Sequence, residues 1–421
     1  MVQRDLPGRS APSRRLPSFV GPEVLTAASD NDPTNVGTAV LVGAQTGYRL
    51  SWVALLVAPL LAVVLAIAAQ VGIVARSDLQ SLVAKQYGRR VARVLLVSVV
   101  SVNLVTIAAD LQAGAAGIGL LTGVGSKWFV APLGVALVAL LLVGKYDEVV
   151  AVLRYVLVGF LAFGAAAVLA RPNWAAVLRA SLLPHLSLRW GDIGGATALV
   201  GTTLTTYVYL WETIAVGVES QATTRSVESE LRRSRAGAIT GAVSTAVILW
   251  FMLITSAATL GVHHQSVSTA VDAAKALRPL AGSAAADVFA IGLITSAIVA
   301  LPVLMASTAH VIGAEFNWRR GLSAGITRAR GFYFVLAASI ALAAAIDLAN
   351  VPLLNVLVAA SIIGGLATPI GLVLLLRLAR NTHVMGDRPI SPRLAVAGWA
   401  VTIVVGGLGV AFVVGGVLGL L

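Results

Sequence analysis

The sequence predicts an all-α polytopic membrane protein with 11 transmembrane helices. Of its 421 residues, 58% are hydrophobic and 11% are charged, and the mean hydropathy is +0.91. A soluble domain carries about 45–50% apolar and about 25% charged residues, so this composition excludes a soluble globular enzyme and a disordered chain. The chain has no Cys, which excludes disulfides, thiolate metal sites and thiol catalysis.

Eleven long runs with few or no charges follow one another along the chain. A helix needs about 20 apolar residues to cross a hydrocarbon core of about 30 Å, and most of the runs lack the alternation of a barrel strand. Residues 1–20 form a basic, proline-containing tail without the apolar stretch of a signal peptide. The runs lie near 22–47, 50–75, 94–122, 128–144, 149–170, 192–217, 237–262, 284–315, 331–348, 352–376 and 394–419.

The Lys and Arg residues are distributed unequally between alternate loops. With a cytoplasmic N-terminus, 23 of the 30 fall on the cytoplasmic side and 7 on the other. Such a bias follows the positive-inside rule. One missed helix would exchange the sides of all later loops and remove the bias. We therefore expect a multi-pass protein of the inner (plasma) membrane with a cytoplasmic N-terminus, whose basic loops face anionic lipid and not nucleic acid.

The first run contains polar residues at the depth of the membrane. Asp30, Asn31 and Asp32 precede Pro33, and Asn35 follows it. Proline removes a backbone hydrogen bond and disturbs the preceding turn, while charged groups at this depth are costly and mark functional sites by default. This pattern predicts an interrupted helix with a binding site at the break. The alternative is that 22–35 lies outside the membrane and that the helix begins at Val36.

The sixth run contains a second weak point. Gly201 is followed by Thr202, Thr203, Thr205 and Thr206, and Thr is a poor residue for a helix centre because its side chain is stiff and competes for backbone hydrogen bonds. Ordinary packing through small residues would explain this segment equally well. However, five spans separate the two segments, and an odd number inverts the second half. Interrupted helices at matching positions of inverted halves indicate a transport site near the midplane.

These residues resemble the NRAMP family of divalent metal transporters over almost the whole chain, and within it a bacterial branch that resembles NRAMP-related magnesium transporters. The segment Asp32–Asn35 (DPTN) resembles the family's metal-binding motif DPGN. The resemblance implies a LeuT-type fold of two inverted five-helix repeats with discontinuous helices 1 and 6. The domains would be a tail at 1–20, repeats at 21–170 and 192–376, and an eleventh helix at 394–421. Other matching motifs are GAQTGY (Gly43–Tyr48), AADLQAG (Ala108–Gly114), LLPHL (Leu182–Leu186), GTT (Gly201–Thr203) and DAAKALRPLAG (Asp272–Gly282).

The resemblance also implies a set of metal ligands. Asp32 and Asn35 match the family's side-chain ligands of the first helix, and Ser29 and Thr202 match positions that ligate through backbone carbonyls. Ser361 matches a polar ligand of the tenth helix, and Thr205 stands where the family has Met. The positions of the family's next two residues, Pro and His, are occupied by Thr206 and Tyr207.

The loss of Met predicts a hard metal as substrate. A thioether is a soft ligand, so replacing it with Thr205 leaves carboxylate, amide, hydroxyl and carbonyl oxygens. Mg²⁺ keeps several waters and suits such a site, with Asp30 as a second carboxylate or as an acceptor for bound water. We expect Mg²⁺ first and Mn²⁺ next. The alternative is that Thr205 fills volume and that the backbone carbonyls still bind Mn²⁺.

The family's proton route is incomplete in this chain. Asp110 keeps one acid of the third helix, but Ala113 occupies the following acidic position and 331–348 contains no Lys or Arg. Tyr207 cannot carry a proton as His does near neutral pH, since Tyr titrates near ~10. Flux down the membrane potential is then favoured, because it is worth about 4.6 kcal/mol per 100 mV for a divalent cation.

Three other functions stay open: a proton-coupled Mn²⁺/Fe²⁺ importer, an organic-solute carrier and a non-transporting metal sensor. Asp30 and Asp32 argue against an anionic solute. We expect no enzymatic activity, no cofactor beyond the transported metal, and no nucleic-acid partner. The pairs Gly406-Gly407 and Gly415-Gly416 in the last helix permit a weak homodimer without requiring one, so the protein is expected to be a monomer or a weak dimer.

Overall fold

The computed structural model describes residues 22–144, 146–184, 189–219, 226–263, 277–279, 282–349 and 368–417. These residues form helices joined by short loops, with no strand among them, as the composition predicts. The predicted tail at 1–20, the predicted ligand Ser361 and most of the motif at Asp272–Gly282 lie outside the described residues. The proposed division into two repeats stays a prediction.

The first half of the chain begins with an interrupted helix. Helices α1 and α2 are separated by the three residues Asp30–Asp32, as the proline pattern predicts. A 3-10 turn at Leu157–Phe160 joins the last two helices of this half into one rod. The helices are α1 (Pro22–Ser29), α2 (Pro33–Thr46), α3 (Ser51–Ala75), α4 (Leu79–Tyr87), α5 (Arg89–Thr122), α6 (Lys127–Val143), α7 (Tyr146–Val156) and α8 (Leu161–Leu169).

The second half contains the other interrupted helix. Here α10 and α11 are separated by two residues, and a π-helical turn at Ala215–Glu219 extends α11. A second π-helical turn, Ala257–Gly261, extends α12. The helices are α9 (Trp174–Leu182), α10 (Trp190–Thr203), α11 (Thr206–Ile214), α12 (Val227–Ser256), α13 (Ser283–Glu315), α14 (Arg330–Leu348), α15 (described over 368–380), α16 (Thr382–Met385) and α17 (Pro392–Val417).

Within the described residues, seven helices are long and apolar enough to cross a membrane. Of the other predicted spans, one is the shorter apolar helix α6, two are the interrupted pairs, and one lies partly in 350–367, which is not described. Eleven spans therefore stay a prediction. The seven are Ser51–Ala75, Arg89–Thr122, Glu148–Leu169, Val227–Gly261, Ser283–Glu315, Arg330–Leu348 and Pro392–Ala411.

Helix α12 holds both halves of the first interrupted helix in place. The Thr245 hydroxyl donates to the Ala27 carbonyl of α1 at 2.6 Å, and the Ser256 hydroxyl donates to the Val40 carbonyl of α2. Both bonds are buried, where a hydrogen bond is worth more than in water because water does not compete. One long helix thus fixes the two half-helices on either side of the break.

Candidate metal site at the two helix breaks

The first break follows from local chemistry around Pro33. Proline has no backbone N–H, so it interrupts a helix that reaches it but fits the first turn of a new one. The Asp32 side chain caps that new helix, because its Oδ1 accepts from the Asn35 backbone N–H at 2.7 Å. Residues 22–29 are already helical and 23–33 are buried, so the alternative in which the helix begins at Val36 disagrees with the structure.

The second break falls within the run of Thr residues. The hydroxyls of Thr202 and Thr203 donate to the carbonyls of Ala198 and Leu199 in the preceding turn, both at 2.8 Å. Thr205 is extended, with φ −71° and ψ 153°, and its hydroxyl makes no capping bond to α11. The last carbonyls of α10 consequently have no partner within the helix, so carbonyl oxygens are available at the break.

The two breaks meet through side chains. The Tyr207 hydroxyl, at the start of α11, lies 3.1 Å from the Ser29 carbonyl and 3.2 Å from Asp32 Oδ2, and donates to this pair of acceptors. On the other side of the breaks, the Thr202 hydroxyl shares its one hydrogen between the Ala198 carbonyl and Asn35 Oδ1, which lies 2.9 Å from it. The Asn35 amide also donates to the Asp30 carbonyl at 2.7 Å. Oxygen atoms from four helix ends therefore surround one small region.

Contacts connect five of the seven predicted ligands, and a sixth, Thr205, lies in the second break itself. Asp30, Asp32, Asn35 and Ser29 are buried, while Thr202 and Thr205 are partly exposed. The hydroxyl of Thr205 and both carboxylate oxygens of Asp30 have no hydrogen-bond partner among the described residues. These orphaned oxygens, together with the free carbonyls of α10, fit a cation that takes oxygen ligands.

The charges around the breaks are unbalanced. The buried carboxylate of Asp32 interacts electrostatically with those of Asp30 and Asp110. In the described part of the chain, the ion pairs join Arg side chains to carboxylates other than these three: Arg49–Asp192, Arg76–Glu230, Arg93–Glu315, Arg232–Glu228, Arg278–Asp287 and Arg320–Asp78. Buried charge without a counter-charge is strongly unfavourable, so the region favours a cation.

Sequence reasoning missed two contacts of this site. Tyr207 was expected only to lack the proton chemistry of His, yet it is the residue that joins Ser29 to Asp32. The second contact is made by Asp110, whose Oδ1 accepts from the Thr34 backbone N–H at 3.2 Å and from its hydroxyl at 3.0 Å. From the sequence, Asp110 was expected as an acid kept from the family's proton route, and in the structure it accepts both bonds from Thr34 of α2.

No group of three or more His, Cys, Asp or Glu side chains that could hold a metal is found in the described ranges. The candidate site is therefore mixed, since it combines one or two carboxylates with amide, hydroxyl and carbonyl oxygens. Such a donor set suits a hard cation that keeps part of its hydration shell.

Access to the breaks is unequal on their two sides. On the side of α1 and α11, residues 23–33 and 206–217 are all buried. On the side of α2 and α10, Thr34, Thr38 and Thr202 are partly exposed, and nothing described lies within 4 Å of a Cβ built on Gly201. The structure is thus closed on the side of α1 and α11.

Comparison with known proteins agrees with this architecture. The sequence model of the family described as natural resistance-associated macrophage protein-like (Nramp) matches residues 23–415. The chain is 30% identical to the divalent metal cation transporter MntH of Deinococcus radiodurans, over 93% of this chain and 88% of that protein. It is 26% identical to MntH of Yersinia enterocolitica, over 96% of each chain.

Solved structures agree at the level of the fold. A manganese transporter of Eremococcus coleocola aligns with a TM-score of 0.73 at 19% identity, over 94% of this chain and 86% of that one. Mhp1, a nucleobase-cation-symport-1 family transporter, aligns with a TM-score of 0.59 at 14% identity, over 94% of this chain and 91% of that one.

Proposed function

The chain belongs to the Nramp family, and on this premise we propose that it carries a divalent metal cation across the membrane by alternating access. The observation that carries the proposal is the meeting of two helix breaks around buried oxygen atoms. Asp32 there interacts electrostatically with Asp30 and Asp110, and no described Lys or Arg is ion-paired to these three acids. Both sequence relatives compared above are divalent metal cation transporters. Nothing in this arrangement calls for enzymatic chemistry.

The substrate we propose is a hard cation, Mg²⁺ first and Mn²⁺ next. The ligands would be the side chains of Asp32 and Asn35 and the carbonyls of Ser29 and Thr202, with Thr205 contacting directly or through water. Asp30 would accept from a bound water, because its carboxylate oxygens have no described partner. Every donor in this set is oxygen, which favours Mg²⁺ over softer metals.

Transport would begin with the release of a hydrogen bond. Ser29 and Asp32 share the Tyr207 hydroxyl in this structure, and in our proposal a cation that uses both ligands displaces that hydroxyl. Entry would occur beside the partly exposed Thr202, and exit would require α1 and α11 to separate. Because α1 and α11 lie on the predicted cytoplasmic side, the inside-negative potential would drive uptake, at about 4.6 kcal/mol per 100 mV for a divalent cation.

The test is cation flux into proteoliposomes under an imposed potential. We expect Mg²⁺ uptake that Asp32→Ala abolishes and that the control Asp287→Ala retains, since Asp287 is 44% exposed and pairs with Arg278 away from the breaks. Mn²⁺ uptake without Mg²⁺ uptake would contradict the hard-cation preference. Flux of neither ion would contradict transport itself.

A second arm tests proton coupling. With the membrane potential clamped, an imposed pH gradient is expected to leave Mg²⁺ uptake unchanged, because the sequence offers no Lys or Arg within 331–348 and no His at position 207. Proton movement in proportion to metal uptake, recorded with an internal pH dye, would instead identify a proton-coupled importer.

A further inference from the structure

Two buried carboxylates lie together away from the candidate metal site. Glu23 of α1 is 4% exposed and Glu212 of α11 is completely buried, and their charges interact. Oε2 of Glu23 has no hydrogen-bond partner among the residues that the structure describes, and the Glu212 carboxyl has none there apart from the Thr26 side chain beside it. An unpartnered buried carboxylate is costly, so this pair requires a ligand or a proton to be stable.

The fold places this pair on the path from the breaks to one membrane face. Glu212 follows Tyr207 by five residues of α11, and Glu23 precedes Ser29 by six residues of α1, which corresponds to about 8 Å and about 9 Å along the helices at 1.5 Å per residue. The hydrogen bond between Tyr207 and Asp32 joins the end of α1 to the start of α11. The two half-helices contact each other and extend from the breaks toward the same face. By the loop charges, that face is the cytoplasmic one.

Close packing holds Glu23 against α12 and brings Thr26 of α1 beside Glu212. A Cβ built on Gly237 of α12 would lie 2.9 Å from Glu23 Oε2, so the α12 backbone leaves room for Glu23 only because this residue is glycine. Thr26, one turn after Glu23 on the same face of α1, places its side chain beside the Glu212 carboxyl. Two carboxylates and a hydroxyl therefore meet between the half-helices.

Two basic side chains of α12 and of the end of α3 have other partners. Arg76 pairs with Glu230, and Arg235 donates to Gln70 at 3.4 Å. No ion pair of Glu23 or Glu212 with Lys or Arg is present in the ranges described above. A divalent cation would neutralise both carboxylates at once, and its oxygen ligands would come from two separate half-helices.

We propose that Glu23, Glu212 and Thr26 form a second divalent cation site, which the metal occupies after it leaves the helix breaks. The inference rests on the proposed function, because it takes the same cation as substrate. A bound cation would hold α1 and α11 together, and the separation of these half-helices would release it. Glu23 and Glu212 are then the last protein ligands before the metal is released at the cytoplasmic face.

The experiment counts bound Mn²⁺ on the purified full-length protein in lipid nanodiscs by equilibrium dialysis. We expect two ions on the wild type, one on Glu23→Gln/Glu212→Gln, and one on Asp32→Ala. Glu228→Gln is the matched control, because Glu228 is 77% exposed on α12, and it is expected to bind two ions. Glutamine keeps the size of Glu, and a thermal unfolding midpoint measured without metal confirms that each variant is folded.

Two outcomes would overturn the second site. If the wild type binds one ion and only Asp32→Ala loses it, the Glu pair shares a proton and not a metal, while the transport proposal stands. If the double Gln variant still binds two ions, the second ion lies elsewhere. A wild type that binds no ion would contradict the proposed function as well, so the two failures are distinguishable.

Discussion

Replacing Tyr207 with Phe should tighten the binding of the transported cation, because the hydroxyl that it removes competes with that cation. This hydroxyl lies 3.1 Å from the Ser29 carbonyl and 3.2 Å from Asp32 Oδ2, and all three residues are buried. In the cation-free variant these two acceptors lose their donor. In the bound state the cation itself satisfies them, so the substitution raises the free energy of the empty protein alone.

The size of the effect follows from the cost of an unpaired buried acceptor. That cost is about 1–3 kcal/mol, and each 1.4 kcal/mol changes a dissociation constant tenfold. The dissociation constant of Tyr207→Phe for Mg²⁺ should therefore fall by about 5-fold to about 150-fold. The assay is calorimetric titration of Mg²⁺ into the purified protein in nanodiscs.

Tyr209 supplies a matched control two residues along the same helix. It is completely buried, and its hydroxyl donates to the Thr368 carbonyl at 3.1 Å and to no predicted ligand. Tyr209→Phe should leave Mg²⁺ affinity unchanged. Weaker Mg²⁺ binding by Tyr207→Phe would refute the reasoning and would indicate that the hydroxyl is itself a ligand. An equal gain in Mg²⁺ affinity by Tyr209→Phe would show that the effect is not local to the breaks.

Three further predictions concern the neighbouring residues. Thr205→Met restores a thioether, so the affinity for Mn²⁺ relative to Mg²⁺ should rise by about tenfold, or about 1.4 kcal/mol, in competition titrations; an unchanged ratio would show that this position does not set selectivity. Asp110→Asn keeps the Oδ1 acceptor for Thr34 and should retain Mg²⁺ uptake in proteoliposomes; a complete loss would assign the charge a role in transport. Gly43→Ala puts a Cβ 2.2 Å from the Leu253 carbonyl oxygen and should destabilise the protein by about 1–3 kcal/mol, seen as a lower thermal unfolding midpoint, whereas Gly407→Ala meets open space and should not.

The local features of this chain could be predicted from the sequence. Composition identified a membrane protein because the hydrocarbon core admits only apolar helices of sufficient length. The chemistry of Pro33 placed the first break at Asp30–Asp32, and the Thr-rich run after Gly201 contains the second, which the structure has at Leu204 and Thr205. Both predictions succeeded because a helix interruption depends on the residues within one or two turns of it. The predicted ligand Ser361 lies outside the described residues and stays a prediction.

Only the tertiary structure decided which side chains meet across the breaks. Tyr207 and Asp32 are 175 residues apart, and Glu23 and Glu212 are 189 apart, so no local pattern connects them. Their contacts depend on the rotation of α11 about its axis. Since an α-helix turns once in 3.6 residues, a shift of one residue in where α11 begins would rotate each side chain by about 100° and direct Tyr207 away from Asp32.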